Sequence, residues 1–418
     1  MNWLFYEHRV INPNKFLTLY LNGKLYKSPN NTEEYKMKSS TLNCRLAGRF
    51  RATVIAIFTI LGLIATLESA AQHNNPYRAY YGWVKLPEGR VQGVVAGIYA
   101  DPDGKHMWLM DRCGGNNCAG VDVDPILKLD LEGNLVKSFG KGLFGWPHGF
   151  FVDHEGNLWV TEGSPAGERR GEAGFKIGKG HQVYKLSPEG EILMTLGEAA
   201  VPGDDETHFN GPSHVLVAPN GEIWVTDGHR GGNNRLVKFS KDGKFILQIG
   251  GGIESATAEH GLFNDPHHIA MDSQGRLFIS DRGNNRIQIF DQDGTFLGLW
   301  THFGRPSSIA IDDDDTIYVV DGTTSLTGVL NQQMYSGQTA NGGGSYGYNR
   351  GIWVGNAKNG SVEAFIPELE ISGFEGGVPL GVDQEFIGLH PDGSILVGEV
   401  EIGEREGRRL VQWINVRN

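Results

Sequence analysis

Residues Gly145 to Gly163 read GWPHGFFVDHEGNLWVTEG. Two apolar runs, Phe150-Phe151-Val152 and Leu158-Trp159-Val160, flank an Asp/Glu/Gly turn, which is the pattern of an antiparallel hairpin. The pattern returns at PSHVLVAPNGEIWVTDG (Pro212 to Gly228), PHHIAMDSQGRLFISDRG (Pro266 to Gly283), PSSIAIDDDDTIYVVDG (Pro306 to Gly322) and EFIGLHPDGSILVGE (Glu385 to Glu399). A looser copy, VVAGIYADPDGKHMWLMDR from Val94 to Arg112, brings the number to six.

Most copies are followed by a second hairpin: HQVYKLSPEGEILMTLG (His181 to Gly197), NRLVKFSKDGKFILQIG (Asn234 to Gly250) or NRIQIFDQDGTFLGLW (Asn285 to Trp300). Four strands per unit, repeated every several tens of residues, predict an all-β, six-bladed β-propeller. The last unit supplies three strands, ending in Leu410 to Trp413, while the unassigned run Tyr80 to Leu86 precedes the first unit. That N-terminal strand is expected to join the last blade and close the ring, so that neither sheet edge stays unpaired.

The 418 residues include 60 glycines, about twice the usual ~7% share, as a chain of tight turns requires. Residues 72–418 make one propeller domain, and residues 1–71 form an N-terminal extension. Within the extension, ATVIAIFTILGLIATL (Ala52 to Leu67) follows Arg45, Arg49 and Arg51 and precedes Ser69-Ala70-Ala71. A basic flank, a short apolar core and small residues describe a secretory signal cut after Ala71, for a secreted or periplasmic protein. The alternative is an uncleaved N-terminal anchor, the one case in which a membrane would be a partner. Met37 offers a second start. Without residues 1–71 the chain keeps 28 basic against 45 acidic residues, a balance that repels nucleic acid and anionic lipid. Cys113 and Cys118, in RCGGNNC, could close a small disulfide loop in an oxidising compartment or form half of a metal site.

In a propeller the innermost strands line a central channel, so equivalent positions of all copies converge. Aligned on the turn, the slot after the proline holds His148, Ser213, His267 and Ser307, with Glu385 in the last copy. Two imidazoles and a carboxylate make a metal triad for zinc or another divalent metal, with a position left for water or substrate. Histidine after proline also serves as a plain strand cap. His214 and His268, one residue later, are expected to point the other way and to be structural. A second ring of candidates follows the second strands: Arg112, His229 and Arg282, two cations and a titratable base. Each arginine could instead brace its neighbouring aspartate. Asp312 to Asp315 reads as a solvated acidic turn, and the Gly/Asn/Tyr-rich stretch Thr323 to Arg350, with Tyr335, Tyr346 and Tyr348, as a long inserted loop.

DPHHIAMDSQGRLFISDRGNNRIQIFDQDG resembles an NHL repeat, and Arg112 to Phe290 resembles the catalytic core of the peptidyl-α-hydroxyglycine α-amidating lyases, most specifically in PHGFFVDHEGNLWVTEG, HQVYKLSP, NRLVKFSKDGKF and SDRGNNRIQIF. It is more similar still to secreted bacterial relatives of those lyases that share RCGGNNC. The resemblance implies a channel zinc on three histidines, a tyrosine base and substrate-orienting arginines. By position the first two zinc ligands fall on His148 and His267, and the arginines on Arg112 and Arg282. Glu385 stands in place of the third histidine, His229 in place of the tyrosine, and Phe386 in place of an aspartate that helps hold a structural calcium.

The expected function is therefore a metal-dependent, lyase-like reaction of the carbon–nitrogen type, or less readily a hydrolysis, on a small molecule or a peptide C-terminus. Metal at His148, His267 and Glu385 would polarise a hydroxyl, His229 would take the proton, and Arg112 would stabilise negative charge. The alternative is a non-catalytic propeller that binds a peptide or glycan at the channel mouth.

Overall fold

Alternating residues of a strand point to opposite faces, and here the first and second strands of most sheets are buried on both faces, so each sheet needs a neighbour on either side. Six four-stranded antiparallel sheets meet that need as the blades of a propeller. The second blade, for example, runs outward from Pro147–Val152 through Leu158–Glu162 and Gln182–Leu186 to Ile192–Leu196. Six buried clusters fill the seams, one between each pair of adjacent blades. Trp108, Trp159 and Trp224, at one equivalent position in the second strands, are buried, and truncating such a side chain to alanine costs about 3–5 kcal/mol. Asp101 and Asp153 accept the indole N–H of Trp108 and Trp159 at 2.8 and 2.9 Å.

The computed structural model describes residues 75–163, 178–229, 232–252, 259–322, 350–367, 374–375, 378–379, 383–400 and 410–416. The chain divides into Met1–Ala71 and Gln72–Asn418, and all described residues belong to the second unit. The expectations placed on the apolar run 52–67 and on Tyr335, Tyr346 and Tyr348 lie outside the described residues. Among the described residues no helix is long and apolar enough to cross a membrane.

The strand that pairs with Leu410–Asn415 is Tyr77–Tyr81, earlier than the expected run Tyr80 to Leu86. Tyr77, Ala79 and Tyr81 pack on the seam between the fifth and sixth blades. Gly82, at φ +88°, then turns the chain away. Trp83 and Lys85 go on to the first blade, donating to the carbonyls of Leu131 and Gly133 at 3.1 and 2.8 Å. The innermost strands touch in cyclic order around the channel.

Two details of the inner strands decide the site. A register shift falls at the slot residue in five of them, at Val95/Gly97, Pro147/Gly149, Pro212/His214, Pro266/Ile269 and Gln384/Phe386. Such bulges re-aim a side chain, here toward the axis. A carboxylate at the end of the second strand then caps the incoming loop: Glu162 accepts Gly145 N–H and Trp146 N–H at 2.6 and 2.7 Å, Asp227 accepts Asn210 N–H at 2.8 Å, and Asp281 accepts Asn264 N–H at 2.8 Å. These three blades thus lock the loops that deliver their own slots. In the acidic turn, Asp312 accepts the Thr316 N–H at 2.7 Å and Asp315 binds Ser273 across the seam, so two of its four carboxylates serve the turn and the seam.

Candidate metal centre

The ring brings His148, His229 and His267 together, with ligand-capable nitrogens all within 4.8 Å of one another. Their ring centroids lie 4.3 Å apart for His148 and His229, 4.9 Å for His148 and His267, and 5.0 Å for His229 and His267. All three are buried. His148 donates Nδ1–H to the Ser213 carbonyl at 2.8 Å, and His267 donates Nδ1–H to the Ser307 carbonyl at 2.6 Å, each reaching the slot of the next blade. A carbonyl can only accept, so Nε2 carries the lone pair in both rings. Both Nε2 atoms are buried without a hydrogen-bond partner. His229 Nδ1 faces Asp265 Oδ1 at 3.1 Å, which selects the same tautomer.

Gly149 makes the first of these contacts feasible. A Cβ there would lie 2.4 Å from the Ser213 oxygen and 2.7 Å from His214 Cα. Only a glycine lets the second and third blades approach this closely behind His148.

Glu385 enters from the sixth blade. Its Oε1 lies 3.3 Å from His267 Nε2, 4.0 Å from His148 Nε2 and 3.7 Å from Arg282 Nη1. The expected triad paired Glu385 with His148 and His267 and set His229 apart as a base. The geometry groups His229 with the two slot histidines and keeps Glu385 at the edge of the same cluster. Burial, helped by the other two imidazoles and by Arg112, holds His148 well below the usual histidine value. Burial pushes His229 down to about 3 against the pull of Asp265, and lowers His267 with help from Arg282. Burial opposes the Glu385 anion, but the positive charge around it, of which Arg112 and Arg282 are the permanent part, outweighs burial and holds the carboxyl well below its ordinary range. Three neutral imidazoles beside one carboxylate are in the protonation state a divalent ion requires.

Arg112 is fully buried; its Nε donates to the Pro147 carbonyl at 2.8 Å and its Nη1 to Asn116 at 3.0 Å, inside the loop that the Cys113–Cys118 disulfide closes. Its guanidinium lies 5.0 Å from the Trp146 ring and 5.9 Å from Phe386. Phe386 and Trp146 pack on His148 at 5.5 and 5.1 Å, so the position of the calcium aspartate holds an apolar wall. Among the described residues Asp111 pairs with Arg90 and Asp281 with Arg286, while Arg282 reaches Asp265 of the loop before its blade. The 3-10 turn Arg282–Asn284 presents Arg282 there.

His214 and His268 stack at 3.6 Å, and Tyr99 of the first blade meets His214 of the third at 3.2 Å. A contact between non-adjacent blades crosses the channel, so His214 faces inward rather than away. The bulge at the slot resets the alternation on which the opposite expectation rested. The slot alignment also missed Asp265 and Trp146, which occupy one equivalent position just before the proline. There the copies read Trp146, Gly211, Asp265 and Arg305, and that variety at a fixed site was the available signal.

The NHL repeat family model matches residues 263–290. The chain is a six-bladed β-propeller that carries an NHL repeat. This propeller is 34% identical over 252 residues to peptidyl-glycine alpha-amidating monooxygenase A of Xenopus laevis, covering 55% of this chain and 25% of that protein. It is 35% identical over 174 residues to a probable peptidyl-alpha-hydroxyglycine alpha-amidating lyase of Caenorhabditis elegans, covering 41% and 44%. It is 32% identical over 253 residues to NHL repeat-containing protein 3 of Homo sapiens, covering 58% and 66%. The chain thus spans a quarter of the amphibian protein's length and less than half of the nematode one's.

Proposed function

We propose that this propeller is a metal-dependent lyase that cleaves the carbon–nitrogen bond of an α-hydroxyglycine-type substrate at a peptide end. The observation that carries the reading is the convergence of three buried, neutral imidazoles, His148, His229 and His267, at the hub. They would hold the ion. A bound divalent cation supplies Lewis acidity that makes a substrate hydroxyl easier to deprotonate.

The remaining work falls to the chain. Glu385, kept anionic beside His267, accepts the hydroxyl proton. The hydroxyl oxygen closes to a carbonyl as the carbon–nitrogen bond breaks, and the nitrogen leaves as an amide after receiving that proton from Glu385. No water or redox partner is consumed. Arg112, fixed by Pro147, Asn116 and Trp146, offers its charge to the substrate carboxylate. Trp146 and Phe386 wall off solvent, which strengthens these charges. Names of relatives support the reaction class. The disulfide supports export to an oxidising compartment.

The test is zinc-loaded protein incubated with a hydroxyglycine-extended peptide, with glyoxylate and peptide amide both measured. Equal release of the two, lost in a His148→Ala/His267→Ala double variant, is expected. No turnover by protein that retains one zinc would remove the lyase reading and leave a recognition propeller.

A further inference from the structure

Asp265 belongs to the hub by geometry alone. It sits directly before Pro266 in a left-handed conformation, φ +55°, buried to 8% exposure. Such a conformation costs a non-glycine residue energy and persists only where its surroundings enforce it. The enforcement is visible: the Asp265 N–H donates to Asn234 Oδ1 at 2.9 Å, and Arg282 donates to Asp265 Oδ2 from Nε at 3.0 Å and from Nη2 at 2.7 Å. A forked guanidinium on one carboxylate leaves the orientation of the other oxygen fixed. That oxygen, Oδ1, is the one 3.1 Å from His229 Nδ1. Arg282 Nη2 also lies 3.2 Å from the same nitrogen and could donate to it in the opposite tautomer, but it already donates to Asp265 Oδ2 at the shorter 2.7 Å, which leaves Asp265 Oδ1 as the partner that sets the tautomer.

His229 differs in this from its two partners. His148 and His267 are oriented by main-chain carbonyls that the blade seams supply in any case. His229 follows the second strand of its blade, outside the slot series, and takes its orientation from a side chain on the neighbouring blade. We propose that Asp265, clamped by Arg282, is a positioning residue that holds His229 as the Nδ1–H tautomer and turns its Nε2 toward the ion shared with His148 and His267. The proposal rests on the metal reading above for its consequence, but the tautomer can be read without metal. A carboxylate behind a ligating histidine fixes the ring and raises its basicity, and loss of such a partner typically weakens metal binding about 10–100-fold.

The test uses the full chain carrying Asp265→Gly, since glycine accepts the left-handed backbone and removes only the carboxylate. Cobalt(II) affinity is measured by chelator competition in four proteins: wild type, Asp265→Gly, His229→Ala and the double variant. Asp265→Gly is expected to lose about 10–100-fold in the wild-type background. In the His229→Ala background it is expected to change affinity less than about threefold, because the link is already cut. Equal losses in both backgrounds, or none in either, would overturn the positioning role. In parallel, nitrogen-15 histidine spectra of metal-free protein report the His229 tautomer, expected as Nδ1–H in wild type and mixed in Asp265→Gly. An Nε2–H tautomer in wild type would also overturn it. Wild type that binds no cobalt but shows the Nδ1–H tautomer would sustain the Asp265–His229 link while removing the metal reading.

Discussion

Replacing Gly149 with alanine would drive a methyl group into the seam between the second and third blades. The new Cβ would lie 2.4 Å from the Ser213 oxygen, 2.7 Å from His214 Cα and 2.9 Å from Thr161 Oγ1, where ordinary contacts begin near 3.4 Å. Two of these neighbours are backbone atoms in a paired strand and have no rotamer to change. Relief therefore requires the two inner strands to part by about 1 Å, in an interior that packs as densely as a crystal. The 2.8 Å bond from His148 Nδ1 to Ser213 would stretch beyond hydrogen-bonding range. Overpacking costs about 1–3 kcal/mol and the lost bond about 1 kcal/mol more, so a deficit of roughly 3 kcal/mol is expected. Urea denaturation gives this as a fall in midpoint at unchanged slope. Metal affinity should fall about tenfold with it, because His148 loses the partner that sets its tautomer. Gly298→Ala is the control: its Cβ would meet nothing closer than 3.8 Å, and stability should stay level or rise slightly. A Gly149→Ala protein with the midpoint and metal affinity of wild type would refute the close approach on which His148 depends.

Other outcomes follow from the same seams and turns. His181 opens the third strand of its blade at φ +62°, where the next two blades place Asn234 and Asn285 at +53° and +54°. Burial lowers its imidazole from 6.5 to about 4, so the folded state resists the proton that the unfolded chain takes up. Stability is then complete above pH 6.5 and declines as pH falls toward 4, by on the order of 1–2 kcal/mol at pH 5 once partial solvent screening is allowed for. His181→Asn should flatten this acid limb in denaturation curves taken from pH 5 to 8, and identical limbs would show that His181 is not its source. The Cys113–Cys118 disulfide closes a loop of sequence separation 5, worth about 2 kcal/mol by loop entropy. A Cys113→Ala/Cys118→Ala variant should lose that much and should bind carboxylate substrate more weakly, since Asn116 no longer holds Arg112; unchanged values of both would mean that other contacts fix the loop.

The blades and the slot were legible because every copy carries its own turn, so Pro147, Pro212, Pro266 and Pro306 align without structural help. That alignment placed His148, His267 and Glu385 around one axis. The rest depended on contacts between copies. His229 reaches the hub on a loop whose direction depends on Gly211, which accepts the N–H groups of Gly228 and His229 at 2.9 Å. Asp265 matters only because Arg282 and Asn234 fix it from two directions. His214 turns inward because a bulge, silent in an alternation pattern, shifts the register by one residue. The strand paired with Leu410–Asn415 lies three residues earlier than expected, because Gly82, read as strand interior, ends it.

X-ray absorption at the zinc edge, on protein loaded with one equivalent of zinc, measures the hub directly. Three imidazole nitrogens at about 2.0–2.1 Å are expected, dropping to two in His229→Ala. A wild-type spectrum with one imidazole or none, or one unchanged by removing His229, would contradict the convergence of His148, His229 and His267 on a single ion.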